Sequence, residues 1–293
     1  MVLLYIPPVQ NLLRREVTAY ASKATGMQIQ VERIDLRFPL NLLVRGVEVI
    51  QQPDTLLSLE SLNVRVQAWP LLKGKVEVDE VTLSQVAVNS ANLIEGMQIK
   101  GVLGRFFLQS HGVDLSNETA VVNRTELSDT HIQLLMTDTT TTPKDTTASA
   151  PVNWKVNLHQ LKLKNVSFGM KLPADSMKMA AYIGEATIDD AKADLKNQFY
   201  GLKQFLLSGA SASYDTGEVQ PSEGFDASHM AVRNIRIGLD SLLYEGRNMN
   251  AVIREITMEE RSGLSITSLT GRLFSNDSII RIPELKLQTP HSE

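Results

Sequence analysis

Cysteine is absent from the 293 residues. That excludes a disulfide scaffold and thiol catalysis, and it fits both the cytoplasm and the periplasm. No apolar run is long enough for a multi-span membrane protein, and no compositional bias marks the whole chain as disordered. Neither sign of charge dominates: 29 Lys and Arg face 33 Asp and Glu, for a net charge of −4. The cations are scattered and form no stripe, which argues against nucleic acid as the main partner. The five histidines lie far apart, with no His-Glu-x-x-His, no close His pair and no calcium loop. A Gly-x-Ser-x-Gly elbow and a phosphate-cradling glycine loop are also missing. Asp215-Thr-Gly217 matches the tripeptide that carries the carboxylate of aspartic proteases, but there is no second copy to share the proton. Its surroundings make it an ordinary turn. The adjacent pairs Asp189-Asp190 and Glu259-Glu260 are polar spacers, because neighbours on a strand face opposite sides. The chain is therefore not expected to be an enzyme, and no metal or cofactor is expected.

What the chain has is a spacing: apolar, two polar, apolar, polar, apolar, two polar, apolar, polar, apolar. It runs cleanly through Leu158-His-Gln-Leu161-Lys-Leu163-Lys-Asn-Val166-Ser-Phe168 and again through Ile183-Gly-Glu-Ala186-Thr-Ile188-Asp-Asp-Ala191-Lys-Ala193. A near copy uses Val78, Val81, Leu83, Val86 and Val88. At 43% apolar residues, chance supplies about 0.1 clean copies in a chain of this length, so the pattern carries meaning. Alternation puts every second side chain on one face of a strand. One extra residue flips the phase, which a bulge or sharp bend absorbs by adding twist and curvature. A shorter form recurs at Val31-Ile34-Leu36, Leu59-Leu62-Val64, Leu202-Phe205-Leu207, Val232-Ile235-Ile237, Ile253-Ile256-Met258 and Ile282-Leu285-Leu287. The expected fold is mostly β: an elongated, curved, repeating antiparallel sheet with one apolar face.

One segment reads as helix. After Pro7 and Pro8, favoured near helix starts, Val9, Leu12, Leu13, Val17 and Tyr20 fall at helical spacing, and Gly26 can stop the run. This amphipathic helix is expected to cap the first end of the sheet with its apolar stripe. Arg14 and Arg15 lie off the stripe, where a basic pair beside an anchor can meet anionic head groups. The opening Met1-Val-Leu-Leu-Tyr-Ile6 suits the tail of a membrane anchor or an ordinary first strand. Residues 1–26 thus read as anchor end plus helix, and 27–293 as one β domain. Two loops are expected: a mobile Thr-rich stretch near 137–151 and a Gly/Glu/Pro/Ser-rich one near 215–225. The chain is expected to continue beyond Glu293.

The residues expected on the apolar face are Ile34, Leu36, Leu62, Val64, Val81, Leu83, Leu161, Leu163, Ile235, Ile237, Ile256, Met258, Leu285 and Leu287. Such a face cannot stay wet: ~1,000 Å² of it costs on the order of 25 kcal/mol relative to burial. It must either fold onto a second layer, as in a β-sandwich or β-solenoid, or hold hydrocarbon. One helix is too little to cover it.

The stretches Tyr5-Ile-Pro-Pro-Val-Gln-Asn-Leu-Leu13 and Ala24-Thr-Gly-Met-Gln-Ile-Gln-Val-Glu-Arg-Ile-Asp-Leu-Arg-Phe-Pro-Leu-Asn-Leu-Leu-Val-Arg-Gly-Val-Glu-Val49 resemble the N-terminus of AsmA-like proteins, nearest the TamB-like translocation and assembly module subunits of Bacteroidetes. Leu57-Ser-Leu-Glu-Ser-Leu-Asn-Val-Arg-Val-Gln-Ala-Trp-Pro-Leu-Leu-Lys-Gly-Lys-Val76 extends the likeness into the Trp-Pro-Leu-Leu-x-Gly turn. The resemblance implies a single-pass anchor in the bacterial inner membrane and a periplasmic β-groove (a β-taco) that carries phospholipid acyl chains toward the outer membrane. It also implies an outer-membrane barrel partner, met through a later region. The alternative is a scaffold or chaperone for outer-membrane β-barrel assembly, offering strand edges to incoming segments.

Overall fold

The computed structural model describes residues 7–67, 69–70, 77–91, 93–94, 96–114, 117–136, 153–217 and 220–291. A single helix, α1 (Pro7–Thr25), precedes β1 (Gln28–Arg37), β2 (Asn41–Gln51), β3 (Asp54–Val66), β4 (Val78–Asn89), β5 (Met97–Asp114) and β6 (Thr119–Met136). Then follow β7 (Lys155–Leu172), β8 (Met177–Asp194), β9 (Phe199–Leu202), β10 (Gln204–Asp215), β11 (His229–Glu245), β12 (Asn248–Glu260), β13 (Ser265–Ser275), β14 (Ile280–Arg281) and β15 (Lys286–Gln288). The turn at Phe38-Pro39 separates the first two strands as the proline requires. The segment from Asp194 to Leu207, whose apolar spacing suits helix and strand alike, turns over 195–198 and is then strand, broken at Lys203 into β9 and β10. The expected run Ile282-Leu285-Leu287 is interrupted at Pro283, leaving Leu285 outside any strand and only Leu287 in the short β15.

All fifteen strands belong to one sheet, ordered β1 through β8, then β10 to β14, with β9 bridging β8 and β11 and β15 on β13. The two end strands do not pair with each other, so the sheet is open. One expectation is corrected: the sheet is mixed, because β6 and β7 run parallel, with Thr119 opposite Lys155 and Leu135 opposite Lys171. A parallel pair needs a crossover of a dozen residues or more. The polar stretch between Met136 and Lys155 is long enough to provide one. The expected mobile loop at 137–151 falls outside the described residues.

The helix lies along the outer edge of β1. Gln10 Nε2 donates to Leu36 O at 3.0 Å, Arg14 Nη1 donates to Glu32 O at 2.8 Å and Val31 O at 3.2 Å, and Ser22 Oγ accepts from Ile29 N at 3.1 Å. Gln10, Arg14 and Ser22 share one helix face, so a polar stripe meets the sheet and satisfies backbone groups that an edge strand leaves open. This corrects two expectations. Arg14 is engaged with the strand and not held out toward a membrane surface, and Tyr20, 77% exposed, points away from the sheet. The side chains of Val9, Leu12, Leu13 and Val17 lie outside the described set. Arg14→Ala should cost about 1–2 kcal/mol of stability, read by thermal or urea unfolding, because it strips two carbonyls of their donor.

Little of the sheet is buried. The buried apolar residues are Ile34, Leu56, Ala120, Ala186, Ala210 and Ala251, and no large side chain among the described residues is fully enclosed. The chain exposes 19054 Å², whereas a compact globule of this mass exposes about 12,000 Å². Among the described residues there is no second sheet, and α1 is the one helix longer than a turn. No helix there is long and apolar enough to cross a membrane.

Candidate functional site: an uncovered apolar face

Strand register assembles the spaced apolar positions into rows that cross the whole sheet. Ile34 lies opposite Val44, Val44 opposite Leu62, Leu62 opposite Leu83, and Leu83 opposite Phe106. The row continues through Leu127, Leu163, Ala186, Leu207, Ile237, Ile256 and Leu269 to Leu287. A second row on the same face takes Leu36, Leu42, Val64, Val81, Leu108, Thr125, Leu161, Ile188, Phe205, Leu239 and Ile253. A third contains Val31, Val47, Leu59, Val86, Leu103, Thr130, Val166 and Ile183, and Ile235 and Met258 extend it beyond a register shift. Every expected lining residue except Leu285 therefore occupies this face. Most are half-buried. Toward one end the face opens further: Ile132, Phe168 and Met179 are 40%, 41% and 38% exposed.

The extra residue of the repeat falls at the same level in every strand from β1 to β11 except the short β9. Between the first and third rows stand Glu32, Gly46, Glu60, Gln85, Gly104, Asp129, Asn165, Gly184, Gly209 and Asn234. Because neighbouring strands each carry the insertion, pairing from β1 to β10 resumes in register on its far side, as where Lys164 faces Glu185 and then Val166 faces Ile183, while β10 and β11 shift by one residue there. A lone bulge would slip the register, while a shared one makes a crease. Gly46, Gln85, Asp129, Asn165, Gly209 and Asn234 all adopt left-handed backbone, φ 50–60°, which Gly, Asn and Asp tolerate best. Gly104 and Gly184 serve close approach instead. A Cβ on Gly104 would stand 2.7 Å from Asp129 Cβ, and one on Gly184 would stand 2.9 Å from Gly209 O. Asn165 Nδ2 donates to Asp129 Oδ1 at 2.7 Å across the crease. A second crease follows His159, Asp190 and Lys203, where Asp190 accepts from His159 at 3.1 Å and pairs with Lys203 at 2.7 Å.

The opposite face is largely polar. His131 contacts Ser167, His159 contacts Asp190, and the buried His229 donates from Nδ1 to Asp226 at 3.0 Å. These histidines stand on separate strands, and among the described residues no three His, Asp or Glu side chains gather for a metal. Asp215 is an exposed strand end opposite His229.

The loop expected near 215–225 is tied down by Asp226. Its carboxylate accepts from Ser222 N at 3.0 Å and from Ser228 N at 2.9 Å. These two amides, followed by His229 and the Ser222 hydroxyl, hold the Asp226 carboxyl far below the usual carboxylate range. Its contribution to stability is complete above the unfolded pKa near about 4 and fades as pH falls from there toward the lower folded value. The thermal midpoint should therefore fall on acidification below about pH 4, and Asp226→Asn should lower it at neutral pH and flatten that acid limb.

Leu103, Phe106, Leu108 and Leu127 line the same rows yet are hard to find in the sequence. Leu103-Gly-Arg-Phe106-Phe-Leu108 does carry the short spacing, but Val102 and Phe107 add apolar residues on the other face and blur it. On β6, Thr125 and Thr130 take row positions and break the apolar count. No protein-family model and no curated protein sequence matches this chain.

Proposed function

We propose that the apolar face binds phospholipid acyl chains, and that the chain is the N-terminal periplasmic part of an inner-membrane-anchored, AsmA/TamB-like protein that moves lipid toward the outer membrane. The observation that carries this reading is the set of largely apolar rows crossing the sheet, one of them apolar from Ile34 to Leu287, with no second layer over them among the described residues. Hydrocarbon is the partner that removes such a face from water without asking for hydrogen bonds. In this reading the shared crease bends all strands together, so that the two halves of the sheet wall a groove. The anchor, the outer-membrane barrel partner and the periplasmic location rest on the sequence resemblance at Tyr5–Val76.

The alternative, a scaffold offering strand edges to barrel segments, is weakened at one end, where α1 occupies the edge of β1. Protein purified from a bacterial host under native conditions should carry phospholipid detectable by native mass spectrometry. Protein that emerges lipid-free, and takes up no photoactivatable phospholipid at Leu62 or Leu163, would overturn the proposal. Photo-crosslinks to nascent barrel proteins at β13 would favour the scaffold.

A further inference from the structure

On the polar face several cations are neutralised one by one. Lys155 pairs with Asp194 at 3.4 Å, Lys203 with Asp190 at 2.7 Å, Arg233 with Glu259 at 3.0 Å and Arg254 with Asp240 at 3.1 Å. At one end of the face unpaired lysines are neighbours instead. Lys171 on β7 stands directly opposite Lys178 on β8, a like-charge cross-strand pair that disfavours the sheet. Lys100 on β5 joins them: its row runs through Gln133, Gly169 and Ala180, and Lys171 and Lys178 lie one alternation beyond on the same face. All three are exposed, and among the described residues none is ion-paired.

The three lysines border one concavity of about 500 Å³. Strands spaced about 4.8 Å apart place their Cα atoms within reach of a common point for four-carbon side chains. The floor between them combines Gln133 and Leu135 with the small Gly169 and Ala180. A Cβ on Gly169 would meet nothing nearer than 4.0 Å, so the space above the strand is open. Among the described residues, Asp215, opposite Lys178, is the single carboxylate at the rim. Three positive charges against one leave a net charge of +2.

We infer that Lys100, Lys171 and Lys178 form a binding site for a phosphoryl group, borne by a lipid head group or by a soluble phosphate ester. Separate ammonium groups approaching from three strands suit a tetrahedral oxyanion, whereas planar carboxylates favour a guanidinium fork. An anion seated there also removes the Lys171–Lys178 repulsion. The site is on the face opposite the apolar rows, so it stands independently of acyl-chain binding.

The test uses the full chain with two probes: glycerol 3-phosphate followed by calorimetry, and vesicles of phosphatidylglycerol compared with phosphatidylcholine followed by flotation. The Lys100→Gln/Lys171→Gln/Lys178→Gln variant is compared with wild type and with Lys196→Gln as a control for general charge. Loss of glycerol 3-phosphate affinity by at least tenfold in the triple variant, with the control unchanged, supports the site and a soluble source. Flotation with phosphatidylglycerol alone, lost in the triple variant, supports it with the lipid as source. If wild-type protein binds neither probe, or if the triple variant or the single Lys178→Gln binds as wild type does, the inference is wrong. Native mass spectrometry of the same variants separates this outcome from acyl-chain loading, which the substitutions should leave intact.

Discussion

Leu163→Asp should leave the sheet folded and empty it of bound phospholipid. Leu163 sits in the middle of the longest apolar row, flanked by Leu127 and Ala186, and it is half-buried. With no layer above it, the aspartate stays hydrated in the unloaded protein, and the loss of stability should be about 1–2 kcal/mol. A sandwich core would behave differently, because an unpaired charge buried between layers would cost several kcal/mol and unfold the chain. Once hydrocarbon occupies the face, the same carboxylate must be desolvated, so the lipid carried per protein should fall by roughly tenfold or more. Thr187→Asp, on the polar face opposite Lys162, should retain its lipid. Circular dichroism melts paired with lipid quantification check both halves. A globally unfolded Leu163→Asp would point to a closed core, and a folded variant with wild-type lipid would remove the row from the binding surface.

Gly184→Ala should be among the most damaging conservative changes in the protein. Its Cβ would meet two backbone oxygens, Gly209 O at 2.9 Å and Ser208 O at 3.1 Å, neither of which can rotate away. Relief requires β8 and β10 to separate at the crease. Overpacking of this kind costs about 2–3 kcal/mol. Gly104→Ala faces the same difficulty against Asp129 and Ser128. Gly169→Ala, on the flat part of the sheet with open space above it, should be neutral or slightly stabilising, since it removes strand glycine flexibility. Urea midpoints of the three variants provide the comparison, and equal midpoints would mean that the crease tolerates separation.

The rows were legible in the sequence because a strand's side-chain period is fixed, so a phase flip at Leu163-Lys-Asn-Val166 can be read without knowing any partner strand. The same local rule gave the helix, bounded by Pro7 and Gly26. The parallel seam was not legible. Direction of pairing depends on where a distant strand lands, and β6 and β7 carry the same alternation whichever way they run. The polar contacts of α1 were hidden for a related reason. Its apolar stripe is the louder signal, but the groups β1 leaves unpaired are polar, and Gln10, Arg14 and Ser22 match them. The lysine cluster was invisible, because Lys100, Lys171 and Lys178 are distant in sequence and meet only through register.

The seam between β6 and β7 also sets an order of events in folding. From β1 to β6 each strand pairs with its neighbour in sequence, and from β7 to β13 the same holds apart from the β9–β10 break. Each half is a meander of short-range pairings that can nucleate alone. The seam alone requires a long chain segment to be closed before any reward arrives, so it should form last. Refolding should then show a fast phase in which both meanders appear and a slower one in which they zip together. A chain nicked between Met136 and Lys155 should yield two fragments that find each other again through one row of parallel backbone bonds.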